Sequence, residues 1–403
     1  MSVSSTVSDG LSFRSELPDD WDVIVIGAGP SGSSAAWRLA RAGLRVLIAE
    51  AKAFPRDKVC GGCLNQRSWS LLAESGADRI LEDAGAVAVA KLRIAAPRAH
   101  VEWPMPTLRS VSRSLMDAVL VSKAVEAGAW FSPMTTATVD PLTAERERRV
   151  VRLVRRDARV MTATAKVVVC ADGLGHPSLK RFPEFAPRVD PKARVGLGAI
   201  LDWRDEETSA AFPAGVLTMA AGRQGYVGVT SVEGGRLNIA AAMDRRLTRA
   251  STSQGDAIAA VLAECRLHIP QGIAAASWTG TLPLTRASRT IAGERLFLVG
   301  DAAGYVEPFT GEGMAWAMKS AVLAAPIIMD AVSASAWDSR LAERWRREWK
   351  RKVSDRQWPC RLLAKLLRSP RTVRYALSLC RMAPALPNRV MNSICAAPTP
   401  SGL

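Results

Sequence analysis

The chain has 403 residues, a hydrophobic fraction of 48% and a formal net charge of +16, which suits two or three globular domains with ample core. The charge is uneven, because Arg340 to Arg374 holds thirteen Arg or Lys against three acids. No recognised nucleic-acid module accompanies it, so a DNA- or RNA-binding role is not expected. Seven cysteines, an odd number scattered along the chain, argue against a disulfide framework and for a reducing compartment.

Residues 1–20 are polar without an apolar stretch, so a disordered tail is expected rather than a secretory signal, and with it a cytoplasmic protein. Val23 to Ile26 then reads as a strand that enters Gly27-Ala28-Gly29-Pro30-Ser31-Gly32, a helix to about Ala42, a second strand and Glu50. This is the order of a dinucleotide-binding unit: Gly27 for a tight turn, Gly29 for close approach to a pyrophosphate, Gly32 for helix packing on the strand. Amides at the helix start suit phosphate. Glu50, about 18 residues past Gly32, would accept hydrogen bonds from a ribose and disfavour a 2'-phosphate, so FAD or NAD fits better than NADP.

Cys60-Gly61-Gly62-Cys63 follows. Its spacing resembles a metal or redox pair, but no second Cys or His pair accompanies it, so no metal site is expected. Arg113 opens a helical stretch, Ser112 to Glu126, with Asp117 four residues on; taken alone this is an i,i+4 surface ion pair. Arg149 to Val169 reads as a hairpin about Arg156-Asp157. Its second arm runs from Lys166 to Asp172-Gly173, a strand end of the kind where open parallel sheets bind ligands. From about Pro183 to Pro283 the pattern alternates, as in Val195 to Leu201, Tyr226 to Val232 and Leu237 to Ala242, and predicts an antiparallel sheet.

A further strand, Leu296 to Val299, runs into Gly300-Asp301 and then Glu307-Pro308-Phe309-Thr310-Gly311-Glu312-Gly313 before another helix. Asp301 could accept hydrogen bonds from sugar-like hydroxyls, and the amides near Gly311 to Gly313 suit a partial negative charge. The apolar segment Met314 to Val332 is interrupted by Lys319 and Asp330 and is not expected to span a bilayer. Beyond it, Trp337, Leu341, Trp345 and Trp349 recur every four residues among basic ones. This amphipathic helix reads as a cap on the body with a solvated basic face, or as a dock on anionic membrane helped by the basic, leucine-rich stretch Arg361 to Arg374. His100, His176 and His268 lie in no nucleophilic constellation.

These blocks, in this order, resemble the FAD-dependent superfamily of para-hydroxybenzoate hydroxylase-like monooxygenases, geranylgeranyl reductases and flavin-dependent halogenases. Arg56-Asp57-Lys58-Val59-Cys60-Gly61-Gly62 with Leu64 is most similar to the geranylgeranyl reductase branch. The resemblance implies an α/β fold, with a Rossmann-like FAD domain of the glutathione reductase type from residues 21–90, 108–180 and 283–330. Residues 91–107 and 181–282 would form an inserted antiparallel substrate sheet, and 331–403 basic C-terminal helices. It further implies Gly27, Ala28, Gly29, Pro30, Ser31, Gly32, Glu50 and Ala51 on the ADP half of FAD, Arg113 beside the cofactor and Asp172 near the pyrophosphate. Gly300 and Asp301 would hold the ribityl chain or adjoining phosphate, with Gly311, Glu312 and Gly313 at the isoalloxazine ring. Cys60, Gly61, Tyr226 and Pro308 would line the reaction space.

The implied activity is oxidoreduction of a hydrophobic small molecule, with NADH or NADPH as transient reductant or a separate electron carrier. Oxygenation of an aromatic or polyketide-like compound is the first reading, and saturation of isoprenoid double bonds the alternative. A non-enzymatic electron-transfer flavoprotein is a further one. Gly225-Tyr226-Val227-Gly228-Val229-Thr230, the counterpart of a Tyr-x-Trp-x-Phe-Pro segment of the reductases, lacks its tryptophan and proline. The Trp-x-Trp-x-Ile-Pro signature of halogenases is absent from the sequence.

Overall fold

Val23, Ile24, Val25 and Ile26 present no polar side chain to either face, as a strand covered on both sides requires; the first three are fully buried. In a computed structural model, which describes residues 17–142, 147–202, 205–245, 253–307 and 311–382, this run is strand β1 (Asp20–Ile26) at the centre of the first sheet. Around it lie β2 (Val46–Ala49), β6 (Trp130–Ser132), β9 (Val160–Cys170) and β18 (Leu296–Leu298). All four adjacent pairings in the order β18-β9-β1-β2-β6 are parallel. The expected hairpin is present as β8 (Arg149–Arg155) against β9, with β7 (Thr135–Val139) on its outer edge, while β17 (Ala292–Gly293) pairs antiparallel with β18.

One face is covered by helix α1 (Pro30–Arg41), against which the long helix α7 (Gly313–Ser333) packs. Helix α7 is apolar and long enough to cross a membrane by length and composition, Lys319 and Asp330 notwithstanding, yet most of it is buried. Ala324, Ala325, Ile327, Ile328 and Ala331 belong to the same core as β1. Its hydrophobicity is that of a core helix.

The second sheet runs β15-β11-β14-β13-β12-β4-β5-β3. Its strands are β3 (Cys63–Leu64), β4 (Val87–Ala96), β5 (Ala99–Ser110), β11 (Val195–Leu201), β12 (Val216–Ala221), β13 (Gly225–Val232), β14 (Arg236–Met243) and β15 (Thr279–Pro283). It is antiparallel except where β12 meets β4 in parallel. A small third sheet joins β10 (Pro187–Val189), β16 (Arg286–Ser288) and β19 (Gly304–Tyr305). The remaining helices before the C-terminus are α2 (Gln66–Ala73), α3 (Ala77–Asp83), α4 (Arg113–Glu126), α5 (Glu206–Ala211) and α6 (Gln254–Glu264).

The C-terminal helices are α8 (Ser339–Lys352), α9 (Trp358–Leu366) and α10 (Pro370–Met382). The tryptophan stripe of α8 turns inward: Trp345 is fully buried and Trp349 nearly so, with Trp337 and Leu341 packed against the first-sheet core. Trp345 donates its indole N–H to the Leu298 carbonyl at 3.1 Å, and Trp337 meets Phe297 edge-on at 6.1 Å. Helix α8 is therefore a cap on the body, and its basic residues form the solvated side.

Candidate active site and cofactor cradle

Four adjacent parallel strands end at one edge of the first sheet, and each is followed by one of the blocks read from the sequence. Strand β1 leads to Gly27, β2 to Glu50, β9 to Asp172 and β18 to Gly300-Asp301. This carboxyl edge is where open α/β sheets bind ligands. The three fingerprint glycines have different tasks. Gly27 has φ +101, and a side chain there would meet the Ala171 carbonyl oxygen at 2.5 Å. At Gly32 a Cβ would lie 1.9 Å from the Gly27 oxygen, so α1 could not sit on β1. Gly29, by contrast, faces open space among the described residues, with only an Arg113 guanidinium nitrogen 3.8 Å from where a Cβ would lie. Gly29 also caps α1 with no side chain bonded to the helix start, and Pro30 follows, which leaves first-turn amides for an anionic ligand.

A buried ionic chain runs behind the cradle. Glu50 accepts from the Ala28 amide at 3.0 Å, the Lys52 amide at 3.0 Å and Arg56 at 3.0 Å. Burial works to raise the Glu50 pKa, but Arg56 and the two amides outweigh it and hold the carboxyl below its ordinary range. Arg56 also donates to Asp117 at 2.9 Å, and Asp117 receives Arg113 in a two-point bond at 2.9 and 2.8 Å. The expected i,i+4 pair is thus present but is not a surface pair: Asp117 is fully buried and Arg113 nearly so. The fork geometry explains why arginine stands here. Burial opposes the charge on Arg113, and Asp117 more than restores it.

Arg113 borders a cavity between the two sheets, with about 1270 Å³ of empty space that includes open solvent. On the first-sheet side its walls are Gly29, Pro30, Ser31, Lys58, Asp301, Gly311 and Gly313. Burial pushes the Lys58 amine down, helped by nearby Arg113, and pushes the Asp301 carboxyl up against the pull of Lys58 and Arg113. Lys58 is exposed to the cavity, so its amine can meet a ligand there. Cys60 stands at the junction, its Sγ 3.9 Å from Met314 Sδ and 3.4 Å from the Gly62 amide donor. Its carbonyl accepts from Asn238 at 3.0 Å. Cys63 turns its thiol to the Gly61 carbonyl at 3.3 Å.

The second-sheet side is apolar and small: Gly196, Leu217, Met219, Gly228, Ala240 and Ala242. Its main polar feature is Tyr226, 4% exposed, with the Arg194 guanidinium 5.5 Å from its ring centroid. Arg194 pairs with Glu307 at 3.1 Å, both almost fully buried. Burial, then Glu307 and Tyr305, push the Tyr226 phenol well above its ordinary pKa, so it stays protonated.

Of the residues expected at the site, Gly29, Pro30, Ser31, Cys60, Gly61, Arg113, Tyr226, Asp301, Gly311 and Gly313 share this cavity. Gly27, Ala28, Gly32, Glu50, Ala51, Asp172, Gly300 and Glu312 do not line it. Most of these support it. Gly300 has φ +60, and a side chain would strike Ser31 Oγ at 2.4 Å; its amide donates to Ser320 at 2.8 Å. Asp172 accepts from the Ser178 amide at 2.9 Å, its Cα beside Gly27. Glu312, buried at the start of α7, lies 3.5 Å from Arg67 and accepts from Asn65 at 3.4 Å, and burial raises its pKa to about 7. Ala51 is exposed at the end of β2. Pro308 lies outside the described residues. Sequence reasoning gave no role to Arg56, Lys58, Arg194 or Glu307. Arg56 and Lys58 belong to the Arg56 to Gly62 stretch and Glu307 to the Glu307 to Gly313 block, but nothing local marks Arg194.

The site fits a flavin dinucleotide through the open approach at Gly29, the uncapped α1 terminus and the ionised, amide-bonded Glu50. Comparison with known proteins agrees. The chain is 28% identical over 399 residues to menaquinone reductase of Mycobacterium tuberculosis, covering 94% of this chain and 92% of that protein. It is 26% identical over 396 residues to digeranylgeranylglycerophospholipid reductase 2 of Methanopyrus kandleri, covering 94% and 90%. In fold it resembles the flavin-dependent brominase Bmp2, with TM-score 0.73, 18% identity and coverage of 93% and 92%. It also resembles PqsL, a probable FAD-dependent monooxygenase of Pseudomonas aeruginosa, with TM-score 0.68, 16% identity and coverage of 88% and 98%. The FAD binding domain family matches residues 20–356, so the chain belongs to that family and is an FAD-dependent oxidoreductase.

Proposed function

We propose that this oxidoreductase saturates double bonds in the isoprenoid chain of a lipid. The observation that carries the reading is the substrate half of the cavity, where glycines, alanines, Leu217 and Met219 leave a smooth apolar wall. A flexible hydrocarbon chain pairs with such a wall, because it gains by leaving water and asks for no hydrogen bonds. The two relatives named as reductases of menaquinone and of a digeranylgeranyl phospholipid support it, since both names denote molecules with isoprenoid chains.

In this reading Gly29, Pro30 and Ser31 receive the pyrophosphate of FAD, with Arg113 and Lys58 supplying positive charge and Glu50 accepting from the adenosine ribose. Asp301 would hold the ribityl chain or adjoining phosphate, and the backbone at Gly311 to Gly313 would lie at the ring. The chemistry FAD would supply when bound here and reduced by NADH or NADPH is hydride transfer. The protein orients the double bond, excludes water and holds a proton at Cys60 Sγ, on the cavity wall, for the second carbon.

Tyr226 with Glu307 and Arg194 favours a second reading, oxygenation of an aromatic compound, because a protonated phenol bonded to Glu307 could still accept from a ring hydroxyl. One experiment separates the two. The FAD-loaded protein is incubated with NADH or NADPH, oxygen and either a polyprenyl quinone or a phenolic compound, and products are weighed by mass spectrometry. A polyprenyl product that gains two hydrogens per double bond supports the proposal. A phenolic product that gains one oxygen atom, with the polyprenyl chain untouched, overturns it.

A further inference from the structure

Among the described residues, ten large apolar side chains are exposed, and five of them, Trp358, Leu362, Leu366, Tyr375 and Leu379, fall on α9 and α10. They are not scattered. Trp358, Leu362 and Leu366 are spaced by four along α9, and Tyr375 and Leu379 by four along α10, so each set forms one stripe. Trp358, Tyr375 and Leu379 are 62%, 66% and 64% exposed. The opposite faces are anchored: Leu367, Val373 and Leu377 are buried in the cluster that contains Leu217, Met219, Tyr226 and Leu284. Those four residues also line the cavity. Two backbone ties hold the arrangement, from Arg194 to the Leu367 carbonyl at 3.1 Å and from Arg368 to the Lys192 carbonyl at 2.6 Å. The helices thus have an inner face on the cavity wall and an uncovered apolar outer face.

The charge carried by the two helices themselves has one sign. Arg361, Lys365, Arg371 and Arg374 are exposed beside the stripes, and from Arg356 to Leu403 the sequence has eight Arg or Lys and no Asp or Glu. A second copy of the chain is a poor occupant, because two such faces would bring cations together with no acids between them. An anionic lipid surface satisfies both features: cations meet headgroups while Trp358, Tyr375 and the leucines enter the interface.

We propose that the outer face of α9 and α10 docks on an anionic membrane. This deepens the lipid-reductase reading and rests on it for its purpose, since docking places the cavity wall next to the bilayer that would hold the substrate. It also narrows the expected membrane contact, which took in both α8 and Arg361 to Arg374, to the two helices after α8, because the α8 tryptophans are buried.

The test is flotation of the full, FAD-loaded chain with vesicles of phosphatidylglycerol and phosphatidylcholine, against vesicles of phosphatidylcholine alone. Wild type should float with the anionic vesicles and be released by high salt. Trp358→Ser, Leu362→Ser, Tyr375→Ser and Leu379→Ser combined should lower binding by about tenfold or more, with FAD content and melting temperature retained. Arg361→Glu with Lys365→Glu should remove the preference for anionic vesicles. Failure of wild type to float, or flotation of both variants equal to that of wild type, overturns the proposal. So does a wild-type dimer that becomes monomeric in the serine variant, which would assign the face to self-association. Flotation is read without turnover, so a protein that binds vesicles but reduces no isoprenoid chain keeps the docking surface and loses only the reductase reading.

Discussion

Replacing Gly29 by Ala separates folding from cofactor binding more cleanly than any other change in the fingerprint. The backbone at Gly29 has φ -80 and ψ -177, a conformation alanine adopts without strain. Among the described residues the nearest outside atom to a new Cβ is 3.8 Å away, ordinary van der Waals contact. The FAD-free variant should therefore be as stable as wild type or up to about 1 kcal/mol more stable, since alanine narrows the unfolded ensemble. The methyl group points into the space the pyrophosphate would use. Losing one charged hydrogen bond to an α1 amide costs about 1.5–3 kcal/mol, or about 10- to 150-fold in Kd. The assay pairs melting of the FAD-free protein with a titration of flavin fluorescence. Wild-type FAD affinity in Gly29→Ala would refute the pyrophosphate assignment. Unfolding of the variant would refute the geometry, whereas Gly32→Ala should fail to fold because its Cβ lands 1.9 Å from a backbone oxygen.

Asp117→Asn leaves Arg56 and Arg113 without the carboxylate they share, so chemical denaturation should show a loss of about 3–5 kcal/mol; less than about 1 kcal/mol would mean the chain of charges is solvated. Glu312, with its pKa raised from 4.5 to about 7 by burial, contributes stability that is full below about pH 4.5 and lost as pH rises through about 7. Wild type should lose up to about 3 kcal/mol across that window and Glu312→Gln should not, so parallel melting curves at about pH 5 and pH 8 would contradict the burial of this carboxyl. Trp345→Ala, which empties a fully buried site, should cost about 3–5 kcal/mol without changing vesicle flotation; reduced flotation at unchanged stability would return the membrane contact to α8. Cys60→Ser should retain FAD while altering turnover, and unchanged turnover would remove the thiol from the reaction space.

The local motifs were legible because their physics is local. A strand, a glycine turn and a helix announce themselves by apolar runs and missing side chains, and every such block proved to lie at the carboxyl edge of the first sheet. Glu50 and Asp301 were legible for the same reason, as acids closing strands. Arg113 and Asp117 were recognisable as a pair from their spacing, but spacing carries no information about burial, and only the fold shows them dry. Arg194 and Glu307 stand 113 residues apart, and no local pattern joins them; packing of the substrate sheet against the β19 segment does. The C-terminal helices show the same division. Basic charge and a four-residue apolar repeat were evident in both α8 and the segment after it, and periodicity says that a helix has an apolar face without saying what covers it. The body covers α8 and the inner faces of α9 and α10, and leaves their outer stripes to solvent. Composition and motif thus determined the cofactor and the class of chemistry, which depend on short-range backbone geometry. Which charges are buried, which groups meet in the cavity and which apolar face stays open were decided by tertiary structure, because each depends on contacts between segments far apart in the chain.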